Sequence, residues 1–354
     1  MTHAIARSDR GYVIGGRDGR AAQERFLCRS IEELASTLGD EHADTLDAKV
    51  SLAWHLGRGR SPRISLRRLA ELRREAERVL GAFHPIVLNI RRGMAMRFGE
   101  VGELRQSVRM FQRLLEDCVD HLDESEWVTY GVIFGYIEAV GHASTRRYAL
   151  ELFDDFDIWM RERRAPARYR RVLRYERARH LNDDQQYEAA ATAFAVLVAE
   201  EERAHGRLNT VALNARCEWL RCLSASGDGA RALRIARDLL SEYQTSVEAS
   251  HIDTWQLRYT MSTICGEMGD TTMAVRILDE LRETKAPQLG EDDPLVQQID
   301  NCLRFWAAMD KARDGHQSEA LEELRALGED LLVWYGVHTA LRKSVLREMG
   351  KLAP

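Results

Sequence analysis

The sequence predicts an all-α fold, a right-handed superhelical solenoid of about seven helix-turn-helix repeats with a capping helix at each end. Three observations lead there. One phrase recurs, as LGDEHADTL from residue 38, LGAFHPIVL from residue 80 and LGEDDPLVQ from residue 289. A Ser or Ala recurs on the same period. Only six of the 354 residues are proline, which suits a chain that is helical almost throughout, because proline removes a donor and clashes inside a helix.

The repeat sets the elements in order. Units begin at Leu38, Leu80, Leu122, Arg164, His205, Val247 and Leu289, in steps of 42, 42, 42, 41, 42 and 42 residues. A fixed period of this length marks stacked supersecondary units. Twenty-seven positions into the first six units stand Ser65, Ser107, Ala149, Ala191, Ala232 and Ala274, each followed by a residue that is nearly always apolar. In the seventh unit Ala320 is displaced by four, which implies an insertion near Lys311–Gly315. The small residue is a packing requirement, since two helices that cross closely leave room for little more than a methyl group or a hydroxyl.

Within each unit a helix A, a short turn and a helix B are expected. Gly57, Gly99, Gly141 and Gly266 share one position, and Gly102, Gly227 and Gly269 share another three residues on. Both sets are read as helix-closing glycines. The recurring phrase is punctuation between units: its Leu ends the preceding helix B and its Gly caps it. Pro85 and Pro294 then fall in the first turn of the next helix A. Asp40, Asp44 and Asp292 lie where capping carboxylates belong.

On these residues the chain resembles the tetratricopeptide repeat in its long, 42-residue form, the type found in kinesin light chains and many bacterial regulators. L-G-x-x-H-P-x-T-L is typical of that subgroup, and LGDEHADTL and LGAFHPIVL match it. The family's small residue in helix A is kept as Ala53 and Ala95, then replaced by Ile137, Arg179, Leu220, Ser262 and Arg304. The resemblance covers about residues 20–350. It yields a flexible leader over 1–18, a capping helix over 19–37, the solenoid over 38–334 and a closing helix over 335–354.

Composition bounds the rest. No run of apolar residues reaches the roughly 18 that span a bilayer, and the first residues lack a signal-peptide core, so a cytoplasmic protein is expected. Of 51 basic residues only five are lysine, a bias typical of a GC-rich bacterial genome. Six scattered cysteines include no C-x-x-C pair and read as buried thiols. The net charge of −5 hides asymmetry: residues 51–100 hold 11 basic against four acidic residues, and residues 251–300 hold four against ten. Such an imbalance can steer a partner.

Chemical motifs are not apparent. GYVIGGRDGR, residues 11–20, lacks the lysine and the preceding strand of a phosphate loop, and no G-x-x-x-x-G-K-[ST] occurs. Eleven histidines give no H-E-x-x-H, and Asp154–Asp155 and Asp183–Asp184 read as solvated pairs. No catalytic residue, cofactor or metal site is predicted, and the chain is read as non-enzymatic.

What remains is surface. In the resembled family helix A lines the concave side, and its groove positions fall on Asn89, Arg92, Met96, Phe134, Glu138, Glu176, His180, Asn214, Cys217, Arg221, Gln256, Tyr259 and Thr263. Amides there suit a peptide backbone, and Arg92 and Arg221 suit carboxylates. The expectation is an interaction scaffold or regulator that binds a protein or peptide partner. A different partner, nucleic acid or another polyanion, is suggested by residues 161–179, with nine arginines against two glutamates; Arg170, Arg171, Arg174 and Arg177 share much of one helical face. A solvated, ion-paired face accounts for the same residues. A third reading is an accessory subunit of a bacterial biosynthetic or regulatory enzyme system.

Overall fold

The computed structural model describes residues 17–59, 62–123, 127–144, 146–246, 254–291, 293–335 and 340–352. Residues 1–16 of the expected leader and Asp292 lie outside the described residues, and Arg17 and Asp18, expected in the leader, open the first helix. Helix α1 (Arg17–Leu38) precedes α2 (Ala43–Gly59) and α3 (Pro62–Leu80), then α4 (Pro85–Glu100) and α5 (Leu104–His121), then α6 (Trp127–Ala143) and α7 (Arg146–Glu162). The alternation continues through α8 (Ala167–Asp183), α9 (Tyr187–His205), α10 (Thr210–Leu223), α11 (Gly229–Thr245), α12 (Trp255–Glu267) and α13 (Thr271–Leu289). Helices α14 (Pro294–Arg313), α15 (Gln317–Tyr335) and α16 (Ala340–Leu352) follow. Among the described residues there is no strand, and one π-turn, Ser224–Asp228, joins α10 to α11. The fold is an all-α helical-repeat solenoid.

The chain divides after Asp184 into two compact units, the first containing α2–α8 and the second α9–α16. In the first unit each helix packs on its neighbours in sequence, and the A helices α2, α4 and α6 also touch one another in a row. In the second, α10 touches α12 and α14 touches α16 in the same way. The A row is therefore the more enclosed layer. Helix α6, WVTYGVIFGYIEAVGHA, is buried nearly all round and carries a single ionised side chain, Glu138.

The recurring phrase is one hairpin connection built three times. Helices α1, α3 and α13 end at Leu38, Leu80 and Leu289, and the glycine that follows each has a positive φ of 97°, 86° and 91°. That conformation favours glycine and closes the helix. The three glycine N–H groups donate to the carbonyls of Ala35, Glu77 and Ala286, four residues back, and those of His42, His84 and Asp293 donate back to the glycine carbonyls. Capping falls to these last residues. His84 Nδ1 accepts from the Ile86 N–H, His42 Nδ1 from Asp44 and Asp293 Oδ1 from Leu295. Asp40, expected to cap, instead lies near the Lys49 ammonium at 3.5 Å.

The small-residue series faces helix A as expected. Ser65, Ser107, Ala149, Ala232, Ala274 and Ala320 are all 1 % exposed or less. In the fourth repeat, however, the equivalent residue is Ala190, one place before Ala191. Its N–H donates to the carbonyl of the N-cap residue Gln186, as that of Ser107 does to Glu103 and that of Ala274 to Asp270. The deleted residue thus precedes this turn, and Ala178 rather than Arg179 is the small residue of helix A; it is fully buried. Glycine did not mark this register because a non-glycine, Gln185 (φ 62°), makes the turn that Gly102, Gly227, Gly269 and Gly315 make elsewhere.

The two glycine sets have different roles, contrary to the shared one expected. Gly102 and its equivalents have positive φ and close helix A. Gly99, Gly141 and Gly266 lie within helix A and mark close approach: an added Cβ would fall 3.3 Å from Ser107 Oγ, 3.5 Å from Ala149 Cβ and 2.4 Å from Trp306. The four-residue insertion lengthens α14 to 20 residues, against 16 in α4. Four residues add about one helical turn, so the buried face keeps its direction.

Candidate functional site

The A row of each unit is the candidate surface. In the first unit it is largely filled by its own side chains. Asn89 and Arg92, expected to line a groove, are each 6 % exposed. Arg92 Nε donates to Asn89 Oδ1 at 3.2 Å, and its guanidinium carbon lies 4.7 Å from the Trp54 ring and 5.7 Å from the Trp127 ring. A Cβ on Gly131 would fall 2.5 Å from Arg92 Nη1, so α6 has a glycine where the arginine enters. Cation–π contact with two half-buried rings ties α2, α4 and α6 together through one charge. Met96, Phe134 and Glu138 are half-buried.

The fourth-repeat residues are displaced by the register correction. Glu176 is buried and accepts from Arg179 Nη1 at 3.3 Å. His180 points toward helix B of the preceding repeat: its ring meets Phe153 edge to face at 4.9 Å, and its Nδ1 is 3.1 Å from the Glu176 carbonyl oxygen. Val172, Tyr175 and Arg179 occupy the places that correspond to Asn89, Arg92 and Met96.

The second unit differs. Asn214 and Gln256 occupy the same place in consecutive repeats, are half-buried, and have no hydrogen-bond partner among the described residues. Gln298, one further period on, extends the row and hydrogen-bonds the Tyr259 hydroxyl. The 42-residue register alone would have found it. Burial raises the Tyr259 pKa well above its usual value, with neighbouring Cys302, 2.9 Å from the hydroxyl, adding to the effect. Tyr259 therefore stays neutral and can donate. Cys217 is fully buried at the place held by Arg92 in the first unit, and burial pushes its thiol up to about 11. Arg221 pairs with Glu218 one turn earlier, and Thr263 donates to the Tyr259 carbonyl at 3.1 Å.

Sequence reasoning did not find the buried ionic support beneath this row. Arg216, 2 % exposed, pairs with Glu202, donates to the Arg207 carbonyl at 2.9 Å and reaches the Tyr243 hydroxyl at 3.4 Å. Tyr243 in turn donates to the Asn209 carbonyl at 3.1 Å. Asn209 caps α10 through the Ala212 N–H. The start of α10, and with it Asn214, is fixed from below.

The arginine-rich helix is α8, and its side chains are not a free basic face. Arg170, Arg171, Arg174 and Arg177 are all half-buried. Arg177 forms a two-toothed ion pair with Asp154 at 2.7 and 3.0 Å, and Arg174 Nε contacts the Arg170 carbonyl at 3.4 Å. Tyr169 stacks on Tyr130 at 3.9 Å. Among the described residues no three His, Cys, Asp or Glu side chains are grouped to hold a metal, and no helix is long and apolar enough to cross a membrane.

No family model matches the chain, and no curated protein matches it. Solved structures do. A tetratricopeptide repeat protein from Parabacteroides merdae superposes with a TM-score of 0.50 at 13 % identity, over 87 % of this chain and all of the other. The repeats of a kinesin light chain from Podosopora anserina align with a TM-score of 0.46 at 16 % identity, over 58 % of this chain and 98 % of that one. A Rap protein crystallised with competence and sporulation factor aligns with a TM-score of 0.47 at 13 % identity, over 95 % and 97 % of the two chains. The fold is that of a tetratricopeptide-repeat protein.

Proposed function

We propose that the protein is a non-enzymatic interaction scaffold whose second unit holds an extended peptide, or an extended segment of a partner protein, along the row of α10, α12 and α14. One observation carries the reading: Asn214, Gln256 and Gln298 stand at one repeat position on successive A helices, and the first two have no hydrogen-bond partner among the described residues. A primary amide both donates and accepts, so it can pair with a peptide group as another strand would. Amides repeated on a fixed period match the periodic backbone of an extended chain. Because the row is held by buried packing before the ligand arrives, little ordering entropy is lost on binding. Arg221, half-exposed beside the row, suits a carboxylate on the ligand.

The first unit takes a supporting part in this reading, since its Asn89 and Arg92 are already engaged with each other and with two tryptophans. The test is selection of binders from a random displayed peptide library, followed by fluorescence anisotropy with a selected peptide. Replacing Asn214→Ala and Gln256→Ala together is expected to weaken binding about tenfold or more, through two lost hydrogen bonds. Unchanged affinity in that variant, with Asn89→Ala abolishing binding instead, would overturn the assignment.

A further inference from the structure

A second surface lies on the B helices of the first unit, on residues the peptide reading does not use. Arg63, Arg67 and Arg68 on α3 and Arg105, Arg109 and Arg113 on α5 are all exposed. None of the six has a hydrogen bond or ion pair among the described residues. Arg63 and Arg105 are repeat equivalents, as are Arg67 and Arg109, so the arginines form a grid on neighbouring B helices. Two surface depressions lie on this face. One, of about 530 Å³, is lined by Arg63, Ile64, Arg67, Arg68 and Glu71. The other, of about 780 Å³, is lined by Arg109 and Arg113, by the carboxylates Glu116 and Asp120, and by Val119 among others. Ile64 and Val119 are 47 % and 44 % exposed. The hollow on α3 carries three arginines against one carboxylate, Glu71, so the excess of cations lies on α3 and the first half of α5 and suits an acidic partner.

The chain carries the complement. On the B helices of the second unit, Asp279, Glu280 and Glu283 of α13 and Glu322 and Glu329 of α15 are exposed, and their carboxylates have no partner among the described residues. The carboxylates 279, 280 and 283 span five residues and Arg63, Arg67 and Arg68 span six, so two helices laid antiparallel bring like-sized charge clusters opposite each other. The α3 arginines and the α13 carboxylates are part of the imbalance of residues 51–100 and 251–300, here carried onto folded surfaces. We propose that the protein self-associates through these faces, the arginine grid of α3 and α5 in one copy receiving the carboxylates of α13 and α15 in another. A single exposed ion pair contributes little, so the association depends on the whole grid acting together and is sensitive to salt.

The full-length chain is tested by sedimentation velocity, at about 50 mM and about 500 mM salt, where the Debye length falls from about 14 to 4 Å. The wild type is expected to associate at low salt and to be monomeric at high salt. Arg63→Glu/Arg67→Glu/Arg109→Glu and Asp279→Lys/Glu280→Lys/Glu283→Lys are each expected to be monomeric at low salt. A mixture of the two is expected to associate again, because each then presents the other's missing face. All six positions are exposed, so melting temperatures should match the wild type; the regained association of the mixture also excludes misfolding as the cause. A monomeric wild type at low salt, or variants that associate like the wild type, would overturn the proposal. So would a wild type that stays monomeric but binds a labelled single-stranded DNA oligonucleotide through the same arginines.

Discussion

Ser107 donates its hydroxyl to the carbonyl of Ala95 at 2.8 Å, and one repeat earlier Ser65 makes the same bond to Ala53 at the same distance. Both pairs are twelve residues apart. The small residue of helix B is therefore a closely fitted crossing point, and in two repeats also a hydrogen-bonded one. Ser107→Ala should keep the fit and lose the bond, costing about 1 kcal/mol. Ser107→Arg should overpack the crossing and cost about 3 kcal/mol or more. Chemical denaturation of the three proteins checks both values. Equal midpoints for the arginine variant and the wild type would mean that Ser107 is not at a crossing.

Two glycines of α6 separate rigid from yielding contacts. An added Cβ at Gly135 would fall 2.5 Å from the Phe111 ring, which is 1 % exposed and enclosed on all sides. At Gly131 the obstacle is the end of the Arg92 side chain, also at 2.5 Å. Gly135→Ala should therefore lower stability by about 1–3 kcal/mol. Gly131→Ala should cost less, because it displaces a guanidinium rather than a ring, and it should raise the accessibility of Trp54 or Trp127. Tryptophan fluorescence quenching by acrylamide reads the second effect.

The register correction in the fourth repeat makes its own prediction. Ala190→Leu places a large side chain at the buried crossing and should destabilise by about 1–3 kcal/mol. Thr192 is exposed on the same helix, so Thr192→Leu should stay within about 0.5 kcal/mol of the wild type. A neutral Ala190→Leu beside a destabilising Ala191→Leu would restore the register that begins at Arg164, in which Ala191 stands at the crossing.

The thiols report on folding through pH. Burial pushes Cys118 and Cys222 up to about 12, and Cys217 and Cys302 up to about 11, and it raises Cys265 as well. The native state therefore holds these five as thiols at pH 8, whereas unfolding returns them toward the ordinary value and to a reactive thiolate fraction. Titration with a disulfide reagent at pH 8 should label half-buried Cys28 readily and the other five only with denaturant. Because their folded values are raised, the stability these groups contribute is complete below the unfolded pKa and is lost as pH climbs toward 11–12. The denaturation midpoint should fall accordingly between about pH 9 and 11.

Much of the fold was legible because the repeat obeys a steric rule that sequence displays directly. A positive-φ glycine and a crossing too narrow for any side chain but Ser or Ala leave fixed letters at fixed intervals, and Gly39, Gly81, Ser65 and Ser107 are those letters. The fourth repeat hid its register because Gln185 adopts the left-handed conformation without being glycine. The candidate surface was less legible. Arg92 occupies a groove position in the repeat, yet Trp54 and Trp127, 38 and 35 residues away, close over it once the A helices stack. Which inward residues remain free depends on neighbours that the period alone does not reveal. Beside Asn214 and Gln256, which have no partner among the described residues, Cys217 and Tyr259 stand where the first unit has Arg92.

Amide hydrogen exchange of the full chain, with and without a peptide selected from the displayed library, tests the proposed binding face most directly. Added protection is predicted in α10, α12 and α14, around Asn214, Gln256 and Gln298. Protection confined to α11, α13 and α15, with α10 and α12 unchanged, would contradict it.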